Sequence, residues 1–401
     1  MERNDDSTPA RPGPRDRAPA LVANVLLVLP LLAGWILETR NPDAYYRIIP
    51  EDGPVEWATF WAEIVACALN GALAWKSRRA GFGAWWFAAG LALFCFLVAG
   101  EEISWGQRLL GFQPSAYFLA HNVQLEENVH NLFPPEVWSA GIMLLVGGFG
   151  VGLPLLARLR RPAELAARLG VYGPPVGWSP GFAFVLGMYV LHPYYLCEEV
   201  VEMQVGVGLA LAALNRLGES APSRRTATGA TGMLACFALV AALGAATTRL
   251  TDAGSAADGA LVPQANAELD ALREDFASMR AERGGRFVTA CDLQARLHSL
   301  DPDRVLLPGL ADGAFEKLVS PGAPKRAQYL LDPWNMPYWI SDQCDSAARY
   351  IMLFSFGPNR RRESTDWAPG GDDVAVYAFH LGEPRPGDWH ALSQVDQVEG
   401  R

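Results

Sequence analysis

Carboxylates and imidazoles gather at the ends of a few apolar runs in this sequence. The stretch VAGEEISWGQRLLGF, residues 98–112, closes one such run with adjacent Glu101 and Glu102. The next polar block, HNVQLEENVHN at 121–131, supplies His121, Glu126, Glu127, Asn128 and His130. A third, HPYYLCEEVVE at 192–202, holds His192, Glu198, Glu199 and Glu202. Pairing His130 with Glu102, and His192 with Glu199, would suit zinc or another transition metal. The same groups serve equally for general acid–base work. Glu101, Glu102, His130, His192 and Glu199 are therefore the candidate catalytic residues. Their spacing does not choose a chemistry, because the chain has no HxxxH, HExxH or CxxC. The competing reading is interfacial, with Trp105 and the tyrosines forming an aromatic belt around ordinary surface carboxylates. Glu63 fits that reading poorly. A carboxylate deep in a span costs about 2.5–3.5 kcal/mol on insertion scales, so such residues face a bundle interior or a polar cavity. Glu202 is read the same way, and it shares a helix face with Glu198 at i, i+4.

These residues need membrane elements to position them. A span takes about 20 mostly apolar residues, and the candidates are 20–38, 55–75, 83–100, 136–157, 177–193, 196–215 and 229–248. The stretch 177–215 as one helix would be roughly 58 Å long, about twice the hydrocarbon core. Pro193 disfavours helix at His192, so two spans are expected there and seven in all. No small-residue cleavage site follows the apolar run at 21–36, which is read as a first span. With the N-terminus inside, fourteen Lys and Arg fall on cytoplasmic segments, and the short outside loops between spans hold only Arg40, Arg47, Arg108 and Arg249. That bias orients the chain and puts the C-terminal part in the periplasm of a bacterium.

Half the residues are apolar and the net charge is −10. No basic stripe exists to neutralise phosphates, which argues against a nucleic-acid partner. The partner expected from composition is the lipid bilayer. Of six cysteines, Cys67, Cys95, Cys197 and Cys236 fall in or beside apolar segments and read as packing residues. Cys291 and Cys344 lie in the soluble part. Outside the cytoplasm they would be able to form a disulfide, and inside it they would stay thiols.

GEEISWGQR followed by NVQLEENVHN resembles a pattern in uncharacterised bacterial multi-spanning proteins, over about residues 40–215. That resemblance implies no known activity. Seven spans with carboxylates and histidines on one face are also faintly similar to the alkaline ceramidase and adiponectin-receptor superfamily of zinc-dependent lipid hydrolases. The paired histidines of that family's last span have no counterpart here, since 229–248 holds no His.

In the C-terminal part, NAELDALREDFASMRAER (266–283) places Leu269, Leu272, Phe276 and Met279 on one helix face, ended by Gly284 and Gly285. QYLLDPWNMPYWI (328–340), ARYIMLFSFG (348–357) and DVAVYAF (373–379) read as three strands of one antiparallel sheet packed on that helix. The order of GGRFVT (284–289), YLLDPWNMPY (329–338), LFSFGPN (353–359) and GGDDV (370–374) resembles the periplasmic domain of the major pseudopilin of type II secretion. The match covers about 264–380, with D-P-W-x-x-P-Y its most specific piece. The resemblance implies calcium in the final loop, with Asp372 and Asp373 as carboxylate ligands and Asn359 where an Asp is usual. Asn is an uncharged donor, so the site should be weaker, and Asp366 is a candidate for compensation. The segment before this domain is a seventh span with no leader-peptidase site, so the fold is expected as a borrowed module. Fold alone does not carry function.

The resulting expectation is an all-α, seven-helix transmembrane bundle plus a small α+β pseudopilin-like domain. Its divisions are a disordered cytoplasmic tail at 1–19, a transmembrane domain at 20–250, a linker at 251–263, the periplasmic domain at 264–382 and a tail at 383–401. The function expected is an envelope scaffold or sensor in the bacterial inner membrane, with pseudopilin-type or other envelope proteins as partners. The alternative is a membrane-embedded, metal-dependent hydrolase or transferase acting on a lipid-linked substrate through the Glu/His cluster.

Overall fold

The computed structural model of the chain describes residues 14–50, 52–80, 82–122, 125–219, 227–251, 256–282, 313–319, 324–342, 350–364 and 369–380. Six helices are long and apolar enough to cross a membrane: Arg17–Arg40, Pro54–Ser77, Trp85–Glu102, Glu136–Leu156, Cys197–Glu219 and Gly229–Thr251. The expected fifth span is shorter. A 3-10 turn, Val176–Trp178, runs into a 13-residue helix, Ser179–Leu191. Together they reach about 26 Å, less than the hydrocarbon core. The break expected at HPYY is present. His192 and Leu196 both take left-handed backbone angles, and the buried Tyr45 hydroxyl donates to the Tyr195 carbonyl at 2.7 Å. A carbonyl freed by the break is thereby satisfied.

The described residues form two compact units. One comprises Met1–Tyr45, Ala58–Ala99 and Ser139–Gly244, and the other Tyr46–Trp57, Gly100–Trp138 and Ala245–Arg401.

In the first unit the Cys197–Glu219 helix is the centre. Its most apolar window is 72% buried, against 17% for Gly229–Thr251, and every residue from Gln204 to Ala213 is buried. The sequence explains this. VGVGLALAA (205–213) is small or apolar on all sides, and a helical stretch without a polar face is covered all round. A methyl group on Gly206 would lie 2.9 Å from Ala62 Cβ, and one on Gly208 2.8 Å from the Phe182 ring. Gly150 presses on the same ring from the π-helical stretch Leu145–Gly152. Phe182 thus fills the space that two glycines leave open.

The second unit contains a three-stranded antiparallel sheet of β1 (Trp339–Asp342), β2 (Tyr350–Ser355) and β3 (Val374–His380), in that order. Trp339 pairs with Phe354, and Leu353 with Val376. The pleat sends alternate residues to opposite faces. Leu353 and Val374 pack with Leu269, Leu272 and Phe276 of the Val262–Glu282 helix, together with Phe315, Trp334 and Tyr338. Met352 and Phe354 join Met336 and Phe356 on the other face. The predicted helix face is therefore the core face, although the Met279 side chain lies outside the described residues, as do GGRFVT, Cys291, Cys344 and Asp366. The remaining four cysteines are free thiols.

The first predicted strand needs correction. Gln328 ends a short helix, Pro324–Gln328, residues 329–338 form a loop closed by a Leu331–Pro337 bridge, and β1 begins only at Trp339. Asp332 is the reason. Its Oδ1 accepts from the backbone N–H groups of Trp334 (2.9 Å) and Met336 (2.8 Å), and its own N–H donates to the Met336 carbonyl at 2.7 Å. A side chain that satisfies its own local backbone competes with a sheet ladder, and Pro333 and Pro337 have no N–H to offer one. Oδ2 accepts from Ser355 Oγ at 2.5 Å, tying the loop to β2. Beside it, fully buried Glu268 accepts from Arg326 Nη2 (2.6 Å) and the Tyr338 hydroxyl (2.8 Å), tying the loop to the helix.

Two outcomes follow. Gly206→Ala should lower stability by about 1–3 kcal/mol through overpacking, measured as thermal unfolding in detergent; an unchanged transition would show that the helices can separate freely. Burial, opposed by its donors, pushes the Asp332 carboxyl up to about 7. The unfolded chain then ionises near pH 4 while the folded one stays neutral, so stability falls as pH rises from about 4 to about 7, by at most about 4 kcal/mol. Asp332→Asn keeps the Oδ1 acceptor and should flatten that slope; parallel profiles for the two proteins would refute the assignment.

Candidate functional site

The two polar blocks of the sequence meet in the second unit. After the Phe82–Glu102 helix the chain turns through Ser104, Trp105 and Gly106, three consecutive residues with positive φ. Only glycine adopts that region readily, and each other residue there costs on the order of 1–2 kcal/mol. Side-chain bonds hold the turn. Trp105 Nε1 donates to Glu101 Oε1 at 2.8 Å, and Ser104 Oγ donates to Glu126 Oε2 at 2.5 Å. The Trp105 ring folds back over Gly100, where a Cβ would lie 2.8 Å away.

Glu101, Gln107 and Arg108 of the first block then reach into the second. Glu101 Oε2 accepts the backbone N–H groups of Val129 (2.5 Å) and His130 (2.9 Å), closing the turn His130–Leu132. Gln107 Oε1 accepts the Glu127 N–H at 2.7 Å. Asn128 Nδ2 donates to Glu126 Oε2 at 3.0 Å, and Asn122 Nδ2 to Asn128 Oδ1 at 2.7 Å. At the centre, buried Arg108 forms ion pairs with Asp52 and Glu126, both also buried. Asp52, whose own N–H donates to Glu56, comes from a third segment. Leu119 and Leu125 close the assembly against Leu331 of the C-terminal loop.

Of the predicted catalytic groups, Glu101 and His130 are thus brought together, with His130 Nδ1 3.5 Å from Glu101 Oε2. Glu102 is half-buried beside them in sequence and is itself engaged. His192 and Glu199 belong to the first unit. There His192 Nε2 lies 3.8 Å from Glu198 Oε2, while Glu199 is half-buried and engaged elsewhere. Glu63 and Glu202 are in that unit too. Glu63 is 1% exposed, so its predicted inward orientation is what the structure has, and Glu202 is half-buried.

The C-terminal loop holds a different arrangement. Among the described residues, the group of three or more potential metal ligands within reach of one ion is Glu363, Asp372 and Asp373, with one ligand atom of each within 4.8 Å of the others. Asp373 Oδ2 accepts the N–H groups of Glu363 (3.1 Å) and Ser364 (2.7 Å), while its Oδ1 is buried with no hydrogen-bond partner. Glu363 Oε2 accepts the Asp372 N–H at 2.8 Å. Burial and the facing Glu363 push Asp372 up to about 7, and burial pushes Asp373 up to about 7. Asn359 Nδ2 donates to Glu363 Oε2 at 3.2 Å, and its Oδ1 accepts the Arg361 N–H. The predicted residues do gather. Glu363 was missed, because one glutamate after RRR carries no signal until the turn at Gly370 and Gly371 folds the paired aspartates back onto it. Three carboxylates, one of them with a buried oxygen left without a donor, are a donor set that fits a hard cation such as calcium.

No family model, curated protein or solved structure matches the chain.

The buried triad gives a direct test of what holds the two blocks together. Arg108→Met leaves Asp52 and Glu126 buried without their counter-ion and should cost about 3–5 kcal/mol. Thermal unfolding in detergent measures it; a loss below about 1 kcal/mol would mean the triad is solvated.

Proposed function

We propose that the protein is a bacterial inner-membrane protein whose second unit lies on the periplasmic side, binds calcium, and serves as an envelope scaffold or sensor. The positive-inside bias of the sequence supports the orientation. Counting the short Val176–Leu191 element as a further crossing, seven in all, is what places both termini on opposite sides. The helix-on-sheet arrangement of the C-terminal part supports the pseudopilin-like reading, in which pseudopilin-type or other envelope proteins are the partners.

The observation that carries calcium binding is Asp373 Oδ1, a buried carboxylate oxygen without a donor inside a cluster of three acids. A bound cation would supply the missing partner and hold all three ionised. Glu363, Asp372 and Asp373 would hold it, and Asn359 would join by turning its amide oxygen inward.

The enzyme reading has less support. A metal or acid–base role at the Glu/His cluster needs Glu101 free, and both of its oxygens already accept hydrogen bonds from Trp105, Val129 and His130.

Calcium titration of the detergent-solubilised full chain tests the proposal. Ion at about a hundred times its dissociation constant should stabilise the protein by about 2.7 kcal/mol. Glu363→Gln and Asp373→Asn should abolish the effect, and Asn359→Asp should tighten binding severalfold by adding a charge. Equal stabilisation of the wild type and Glu363→Gln would remove the site.

A further inference from the structure

Inside the first unit, Glu63 is a buried carboxyl that the arrangement above leaves unexplained. It lies about 14 Å along the Pro54–Ser77 helix from its first residue. The side chain is 1% exposed, and neither oxygen has a hydrogen-bond partner. Among the described residues no ion pair reaches it. Its titratable neighbours among the described residues lie on three helices. Cys67 follows one turn later on the same helix. The Cys95 thiol, a weak donor at best, faces it from the Phe82–Glu102 helix. Glu202 of the Cys197–Glu219 helix is within electrostatic reach. On that same helix Gly206 covers Glu63 directly, since a methyl there would lie 3.0 Å from Oε1 and 3.1 Å from the Glu63 nitrogen.

An ionised carboxylate in this place would have neither a counter-ion nor a strong donor, and its acidic neighbour would repel it. Burial of a charge in that state is strongly unfavourable. A metal ion does not resolve the problem, because among the described residues Glu63 belongs to no group of three ligand atoms within reach of one ion. A proton does. We propose that Glu63 is a proton-binding site inside the bundle, and that the seam between the Pro54–Ser77 and Cys197–Glu219 helices closes at Gly206 only over the neutral acid.

Loss of the proton puts a bare charge beneath Gly206 and beside Glu202. With Gly206 packed on Ala62 and Glu63, the charge is relieved by separating the two helices. The proton is then the ligand of the closed state, and proton concentration sets the balance between closed and open. Gly206 is necessary to this device, since a larger residue would hold the helices apart regardless of protonation. The inference concerns the first unit alone and does not depend on calcium at the acidic loop.

Infrared difference spectroscopy on the full-length protein in liposomes tests it, comparing the wild type with Glu63→Gln. Gln reproduces the shape of the neutral acid and cannot ionise. The wild type should show the carbonyl stretch of a neutral carboxylic acid, amounting to one group per chain, that Glu63→Gln lacks and Glu202→Gln keeps. The thermal midpoint of the wild type should fall between about pH 6 and about pH 9, the range in which buried glutamates ionise, relative to that of Glu63→Gln. An identical neutral-acid signal in wild type and Glu63→Gln would overturn the proposal. So would a midpoint for Glu63→Gln that tracks the wild type across the same range. If Glu63→Gln does not accumulate, the wild type is treated with an apolar carbodiimide, to which the O–H of a neutral acid adds without a leaving group. Labelling of the Glu63 peptide at about pH 6 that disappears at about pH 9 supports the site, and no labelling at either pH overturns it.

Discussion

Burying Arg108 constrains everything around it. A guanidinium out of water needs carboxylates in fixed positions, and two of them, Asp52 and Glu126, come from segments far apart in sequence. Once those three residues are placed, the backbone has little freedom left. Gln107 follows to meet the Glu127 N–H, Ser104 to reach Glu126, and Glu101 to cap the turn at Val129 and His130. The left-handed run Ser104–Gly106 is unfavourable for two of its three residues, and it persists because these contacts determine it from both sides. A single buried cation thus converts two surface-like stretches of sequence into one folded body.

This changes the meaning of the residues that drew attention as sequence. GEEISWGQR and NVQLEENVHN read naturally as catalytic fragments, because carboxylates and imidazoles in apolar surroundings are what enzymes use. In the structure most of their polar atoms are occupied by each other. Glu101 serves the backbone, Glu126 serves Arg108, Ser104 and Asn128, and Asn122 serves Asn128. A density of polar residues is evidence of a network, and only an atom left without a partner within it is evidence of a ligand.

The parts of the fold that sequence made legible are those set by periodicity. Long apolar runs gave the helices, the break at His192 gave the division between Leu191 and Cys197, and the spacing of Leu269, Leu272 and Phe276 gave the face that packs on the sheet. Long-range pairing was not legible in the same way. Asp52 is one acid among many in a polar loop, and nothing local marks it as the partner of Arg108. The strand expected over 328–340 failed for a related reason. Its aromatic content has strand character, but Asp332 bonds to the N–H groups two and four residues on, and two prolines interrupt the ladder. Local capping outweighed composition. Glu363 escaped notice because its importance depends on a turn that brings 370–373 back to it.

Four buried acidic sites give different answers to one problem. At Arg108 the acids are met by a cation from the chain itself. At Asp332 three hydrogen-bond donors meet a single carboxyl, and burial still pushes its proton affinity up toward neutrality. At Asp373 and at Glu63 the chain supplies too little, leaving an oxygen or a whole carboxyl without a partner. Those two differ in a way that selects their ligands. Asp373 has two further acids within 4.8 Å, enough oxygens to surround an ion, whereas Glu63 has thiols, a second glutamate at a distance and a glycine pressed over it. An oxygen-rich pocket calls for a hard cation, and a lone carboxyl buried between helices, with no cation or strong donor facing it, calls for a proton.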